Sequence, residues 1–320
     1  MALPTETVYG LGANAFDGPA VERIFTAKER PAWDPIIVHV ASLEMLDGLV
    51  EKIPARAARL IEQFWPGPLT LLLPRAAAVP DCVTAGRPLV GVRMPAHPVA
   101  LELIRRAGVP VAAPSANRFG HISPTTAAHV LDDLDGRIDA VLDAGPTAHG
   151  VESTVLDPTL TPMVIYRPGA VTAEQIREIA GPVEIYRNAE PLKEAPAEAL
   201  PSPGVGLRHY APRARLVLIE THDAQGSLAE IESGIERAAR NESHERVGVM
   251  LPEGAAAPIG ISDEHVFRWG QWDVPEELAQ RLYAGLRALD AAGCTVILCP
   301  LPISEGIGAA LRDRLRKAAR

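Results

Sequence analysis

Two cations stand two residues apart in TAKERP, and a serine and an asparagine stand two residues apart in APSANR. Pro31 biases Arg30 away from helical geometry, and in an extended segment Lys28 and Arg30 project to the same side. A point-like ammonium beside a planar guanidinium forms a clamp for phosphate oxygens. A basic helix end completing the macrodipole is the competing reading. Ser115 and Asn117 follow the apolar run VPVAAP with a hydroxyl and an amide. The opening stretch PTETVYGLG places Thr5 and Thr7 on one side, while Gly10 and Gly12 let the backbone approach a ligand closely. A helix beginning near Pro19 would point free N–H groups at an anion.

Other polar residues sit where burial demands a reason. His39 lies inside the apolar run IIVHV and needs a partner or a ligand there. Arg93 ends a strand of small and apolar residues, so it must meet either a protein carboxylate or a substrate carboxylate. GVESTVLDP offers Ser153 and Thr154 at a strand start, and Arg167 precedes a Pro-Gly turn. Ser123 reads as the cap of a helix over TTAAHVLDDL. There is no nucleophile–base–orienter signature, P-loop or metal-ligand cluster, and candidate general bases are scarce. Hydroxyls, amides and cations in this mixture suit holding a phosphate-bearing anion and stabilising its charge, not covalent catalysis.

The elements that must position these residues alternate. IIVHVA, PLTLLLP, PLVGVRMP, VPVAAP, DAVLDAG, STVLD and MVIYRPG read as strands. GPAVERIFTAKE, SLEMLDGLVEK, PARAARLIEQFW, HPVALELIRRAG, TTAAHVLDDL and TAEQIREIAG read as helices, which together predict an α/β domain over 1–187. Residues 188–213, rich in Pro, Ala and charge, read as an extended linker. Its end, SPGVGLRHYAP, is dense enough in glycine, cations and tyrosine to touch a ligand. Over 214–320, RLVLIE, RVGVMLP, HVFRWG and TVILCPLP alternate with three helical patterns, predicting a smaller Rossmann-like parallel-sheet domain. GIGAAL near the end has two of the three fingerprint glycines and reads as a tight turn rather than a dinucleotide site.

Composition sets limits on partners. The formal net charge is −9 and aromatic residues make up 4% of the 320, which argues against a broad nucleic-acid surface. No apolar run reaches the roughly 18 residues of a membrane span, and no signal-peptide pattern opens the chain. Three sparse cysteines, Cys82, Cys294 and Cys299, suit reduced thiols in the cytoplasm, the latter two as core residues.

The motifs PTETVYGLGA, KERP, PIIVHV, WPGPLTLLL, VRMPAHP, PVAAPSAN, GVESTV and RPG, in that order, resemble the L-threonylcarbamoyladenylate synthase family. SPGVGLRHYAP and GIGAALRDRLRKAA match its longer two-domain form. The resemblance implies a YrdC-like twisted mixed sheet with helices, followed by the Rossmann-like domain. It implies synthesis of L-threonylcarbamoyl-AMP from L-threonine, bicarbonate or CO2, and ATP, with release of pyrophosphate and with Mg2+ accompanying ATP. A tRNA threonylcarbamoyl transferase would take the product, without direct tRNA binding by this chain. Lys28, Arg30, Ser115 and Asn117 would be catalytic. Thr7, His39, Arg93 and Ser153 would bind threonine. Arg30, Asp34, Ser115, Ser123, Arg167 and Tyr210 would contact the nucleotide, Tyr210 from a linker that closes as a flap.

The resemblance also raises expectations about departures. A helix and a strand precede PTETVYGLG in the family, whereas Met1, Ala2 and Leu3 precede it here. Either the start is placed too late or a sheet strand beside the site is missing, and loss of that strand would expose a sheet edge and loosen the loop. A threonine- and ATP-binding regulator with poor turnover is the alternative reading. A hydrogenase-maturation type of carbamoyl transfer would require acylphosphatase-like and zinc-binding segments that the chain lacks.

Overall fold

The computed structural model describes residues 1–186, 200–202, 209–220, 227–242 and 244–319. Most of the expected linker and flap, 188–213, therefore falls outside the described residues. The chain divides into two compact units. The first comprises Met1–Phe119, Ser123–Ala148 and Glu152–Leu207, and the second comprises Gly120–Ile122, His149–Val151 and Arg208–Arg320. Among the described residues, no helix is long and apolar enough to cross a membrane.

The first unit opens with β1 (Ala2–Leu3), β2 (Gly10–Leu11), β3 (Ala13–Asn14), α1 (Gly18–Lys28) and β4 (Ile37–His39). It continues through α2 (Ala55–Phe64), β5 (Leu69–Pro74), α3 (Asp81–Thr84), β6 (Leu89–Arg93), α4 (Pro98–Ala107) and β7 (Val111–Ala112). It ends with α5 (Ala127–Leu134), β8 (Thr154–Asp157), β9 (Met163–Arg167), α6 (Ala173–Ala180) and β10 (Val183–Ile185). Eight strands form one mixed sheet in the order β10-β9-β8-β5-β6-β4-β7-β3. Two parallel pairings inside it matter for the site: β4 beside β6 sets His39 opposite Arg93, and β5 beside β8 sets Leu69 opposite Thr154.

β1 and β2 form a separate antiparallel ribbon. Ala2 and Leu3 are buried, and Ala2 exchanges backbone bonds with Ala140 and Leu142. These bonds tie down the residues that lead into the opening loop.

Two expected elements do not form, for local reasons. SLEMLDGLVEK yields only a 3₁₀ turn at Glu44–Leu46. Asp47 is extended and Gly48 has φ +82, so the chain leaves helical geometry there, and Val50 bridges to Arg75 instead. DAVLDAG yields only a single bridge at Val141, because its partner β1 is two residues long. Beyond it, Asp143 Oδ1 accepts from the Gly145 amide and closes an Asx turn.

The second unit contains β11 (Arg215–Ile219), α7 (Leu228–Asn241), β12 (Val247–Pro252), β13 (Val266–Gly270), α8 (Pro275–Ala291), β14 (Val296–Pro300) and α9 (Gly308–Ala318). Its four strands pair in the order β11-β14-β12-β13, and every pairing is parallel. Near-continuous burial of VGVMLP and VILCP is what a sheet covered on both faces requires. Cys294 and Cys299 are core residues of this unit.

Candidate active site

The candidate residues of the first unit fall into three side-chain clusters. The first joins the K-x-R and S-x-N motifs. Lys28 is the last residue of α1 and is 1% exposed. Its Nζ donates to the Ser115 carbonyl at 2.6 Å and to the Asn117 carbonyl. The Asn117 side-chain amide donates to the Arg118 carbonyl at 2.7 Å. Burial, and then the charge of Arg30, lower the Lys28 pKa well below that of an ordinary lysine.

The segment between the two cations is not extended as the spacing predicted. Glu29 adopts a left-handed conformation, φ 55, while its amide and that of Arg30 return to the carbonyls of Thr26 and Phe25. Arg30 is consequently turned back onto its own loop. It donates to the Asp34 carbonyl at 3.1 Å and the Pro35 carbonyl at 2.7 Å, and pairs with the Asp34 carboxylate at 3.0 Å. Asp34 is fully buried. Burial raises its pKa, and the charges of Arg30, Lys28 and Arg167 act against that rise.

The second cluster surrounds the opening loop. The Thr5 hydroxyl accepts from the amides of Thr7 and Val8, donates to the Val8 carbonyl and lies 2.8 Å from the Thr7 hydroxyl. This locks the bend that carries Glu6. Arg93 ends β6 and is held on three sides. Its Nε donates to the Gly67 carbonyl at 3.1 Å, Nη1 donates to Thr7 Oγ1 at 2.9 Å, and Nη2 lies 2.6 Å from Glu6 Oε1. Of the two anions the sequence left open for Arg93, the protein supplies one, Glu6. Burial would raise the Glu6 pKa, but the charge and hydrogen bond of Arg93 outweigh it and hold the carboxyl below its usual value. Beside this pair, His39 is lowered to about 3 by burial and by the charge of Arg93, so its ring is neutral near pH 7. Its Nδ1 is buried without a hydrogen-bond partner.

The third cluster ties Ser153 to Arg167. The Ser153 hydroxyl lies 2.8 Å from that of Thr70 and accepts from Arg167 Nη2 at 3.0 Å, while the Ser153 carbonyl accepts from Arg167 Nε. Gly169 permits this approach: a Cβ there would fall 2.6 Å from the Glu152 carbonyl oxygen and the Ser153 carbonyl carbon. Ser123 is not the helix cap. Thr126 caps α5, and Ser123 donates to Glu152 Oε1 at 2.6 Å instead.

Two sequence-based expectations find other arrangements. The N-terminus of α1 is capped by Asp17, whose Oδ1 accepts from the Ala20 amide, so an acidic side chain sits where an anion was expected. Tyr210 belongs to the second unit, where it adopts φ 62. Its ring stacks on Tyr283 at 5.9 Å, with the Arg314 guanidinium 5.2 Å away.

The likeness to known proteins extends over the whole chain. Residues 1–169 match the family model described as Telomere recombination, and residues 171–320 match the Threonylcarbamoyl-AMP synthase C-terminal domain. A Pyrococcus abyssi protein named Threonylcarbamoyl-AMP synthase is 44% identical over 100% of this chain and 90% of its own length. The chain belongs to the threonylcarbamoyl-AMP synthase family. A Bacillus subtilis protein of that name is 43% identical over 100% of this chain and 89% of its own length. The crystal structure of the Pyrococcus abyssi protein complexed with L-threonine has a TM-score of 0.90 and 43% identity. It covers 99% of this chain and 89% of the other. For a threonylcarbamoyl-AMP synthase family member, sequence reasoning left out Glu6, Thr70 and Glu152. Glu6 stands in the quoted PTETVYGLG motif and Glu152 in GVESTV, but their partners lie 87 and 29 residues away.

Proposed function

We infer that this chain makes L-threonylcarbamoyl-AMP from L-threonine, bicarbonate or carbon dioxide, and ATP, releasing pyrophosphate. The observation that carries this reading is full-length likeness, at 44% and 43% identity, to proteins named for that product. The buried cations Lys28, Arg30, Arg93 and Arg167 of the first unit give it a physical basis.

In this reading the threonine amine forms a C–N bond to carbon dioxide and gives up a proton. If bicarbonate is the source, that proton leaves with the bicarbonate hydroxyl as water. The carbamate oxygen then attacks the α-phosphorus of ATP, the bond to the β-phosphate oxygen breaks, and pyrophosphate departs. Negative charge grows on the phosphoryl oxygens, and fixed cations in a water-poor site stabilise that growth most effectively. Lys28 and Arg30 take this role. Ser115 and Asn117 orient phosphate and carbamate oxygens, with their backbone already fixed by Lys28.

Arg93 receives the amino-acid carboxylate, with Thr7, His39 and Ser153 completing the threonine site. The neutral His39 ring offers its unpartnered Nδ1 to the substrate without adding charge. Arg30, Asp34, Ser115, Ser123 and Arg167 serve the nucleotide, Asp34 by aiming Arg30. Among the described residues, no group of three or more His, Cys, Asp or Glu side chains is arranged around a metal ion. A magnesium ion accompanying ATP would be held mainly by its phosphates and by water. A separate transferase would carry the threonylcarbamoyl group to tRNA.

The test is mass spectrometry of the reaction of purified protein with ATP, L-threonine and ¹³C-bicarbonate. A nucleotide product that contains both threonine and the labelled carbon supports the reading. Hydrolysis of ATP with no such product overturns it.

A further inference from the structure

The amino-acid site contains a charge that stability alone does not explain. Glu6 and Arg93 are 6% and 3% exposed, and their ion pair spans 2.6 Å. A buried ion pair costs so much desolvation that apolar residues of the same volume often serve a fold better. Neighbouring groups nevertheless fix the segments that carry the pair. The Thr5 hydroxyl fixes the bend that carries Glu6, and Thr7 and Gly67 fix the guanidinium.

The groups facing the pair add no charge at neutral pH. Burial lowers His39 to about 3, and it also lowers His97. Glu6 stays ionised, held below the usual carboxyl value despite its burial. Arg93 and Glu6 therefore sum to zero where a substrate carboxylate would bind.

We propose that Glu6 is a specificity-determining residue that cancels the charge of Arg93, so that the site accepts a zwitterionic amino acid and rejects a ligand bearing a carboxylate alone. The inference rests on placing the amino-acid carboxylate at Arg93. A zwitterion adds no net charge to the buried pocket, and its ammonium offsets the nearness of its carboxylate to Glu6. A plain carboxylate or an inorganic anion brings an uncompensated negative charge beside Glu6, and like charges in a desolvated site repel strongly. Discrimination of this kind keeps abundant small anions away from Arg93.

The experiment measures binding of L-threonine and of 3-hydroxybutanoate, which is threonine without its amino group, by calorimetry in the absence of ATP. Wild-type protein, Glu6→Gln and Arg93→Ala are compared. Wild type should bind L-threonine at least about ten-fold more tightly than 3-hydroxybutanoate, and Glu6→Gln should shrink that ratio about ten-fold. A merely structural glutamate would weaken both ligands alike and leave the ratio unchanged, and that result overturns the proposal. Equal affinity of the wild type for the two ligands overturns it without any variant, should Glu6→Gln fail to fold. Undiminished threonine binding by Arg93→Ala would instead remove the carboxylate from Arg93, a failure of the site reading on which the proposal rests.

Discussion

Lys28 places its ammonium 2.6 Å from the Ser115 carbonyl across 87 residues of sequence, with the Asn117 carbonyl as its second acceptor. The K-x-R and S-x-N motifs are therefore one structure, in which a cation at the end of α1 organises the backbone that displays the serine and the asparagine. Lys28→Ala would remove a buried cation and leave two carbonyls without their donor. Turnover should fall about 100-fold or more, the scale of lost electrostatic stabilisation. Steady-state pyrophosphate release checks this, and turnover within a few-fold of wild type would remove Lys28 from the chemistry.

Arg30 and Asp34 permit structure and catalysis to be separated. Arg30→Ala strands a fully buried carboxylate, which should cost about 3 kcal/mol of stability. Adding Asp34→Ala should restore most of that loss, because the stranded charge is gone. Turnover should stay about 100-fold down in both variants if Arg30 stabilises the phosphoryl charge. Thermal melting beside kinetics reads the two effects separately. Recovery of turnover in the double variant would make Arg30 structural.

His39 gives a pH signature. Its folded value is about 3, against 6.5 as the ordinary value. Below pH 6.5 the unfolded chain binds a proton that the folded chain refuses until about pH 3, so stability falls as pH drops through this window. Between pH 6 and 4.5, denaturant melts should show a steeper loss in wild type than in His39→Gln. The difference should approach one proton, about 1.4 kcal/mol per pH unit. Groups left unchanged, Glu6, Asp34 and His97 among them, contribute to both proteins and largely cancel. Parallel stability curves would mean that His39 titrates normally.

Gly169→Ala tests whether close backbone packing shapes the third cluster. The added methyl meets backbone atoms of Glu152, Ser153 and Thr154, which cannot move aside as a flexible side chain would. Stability should drop by about 2 kcal/mol or more. The KM values for threonine and ATP should both rise, because Ser153 and Arg167 are displaced together. Unchanged KM values would show that the loop relaxes without moving Ser153.

Much of this was legible in sequence because local patterns governed it. The apolar runs of β5, β6, β8 and β9 and the periodicity of α1, α2, α4 and α6 announce themselves, as do the parallel strands of the second unit. The elements that failed were decided by partners or by backbone sign. DAVLDAG has strand composition but only a two-residue partner, and SLEMLDGLVEK has helical spacing interrupted by Gly48 at positive φ. The types of the site residues were readable, but their bonds were not. Glu6 with Arg93 and Ser123 with Glu152 are pairings made by strand register and by loops that meet far along the chain. Glu29 shows the same limit at short range: its left-handed turn ends α1 and redirects Arg30 onto Asp34.

The most direct test of the account is pyrophosphate release from ATP by purified protein, with L-threonine and bicarbonate each present or withheld. Release is expected only when both are supplied. Release that ignores threonine, or no release with all three substrates present, would contradict it.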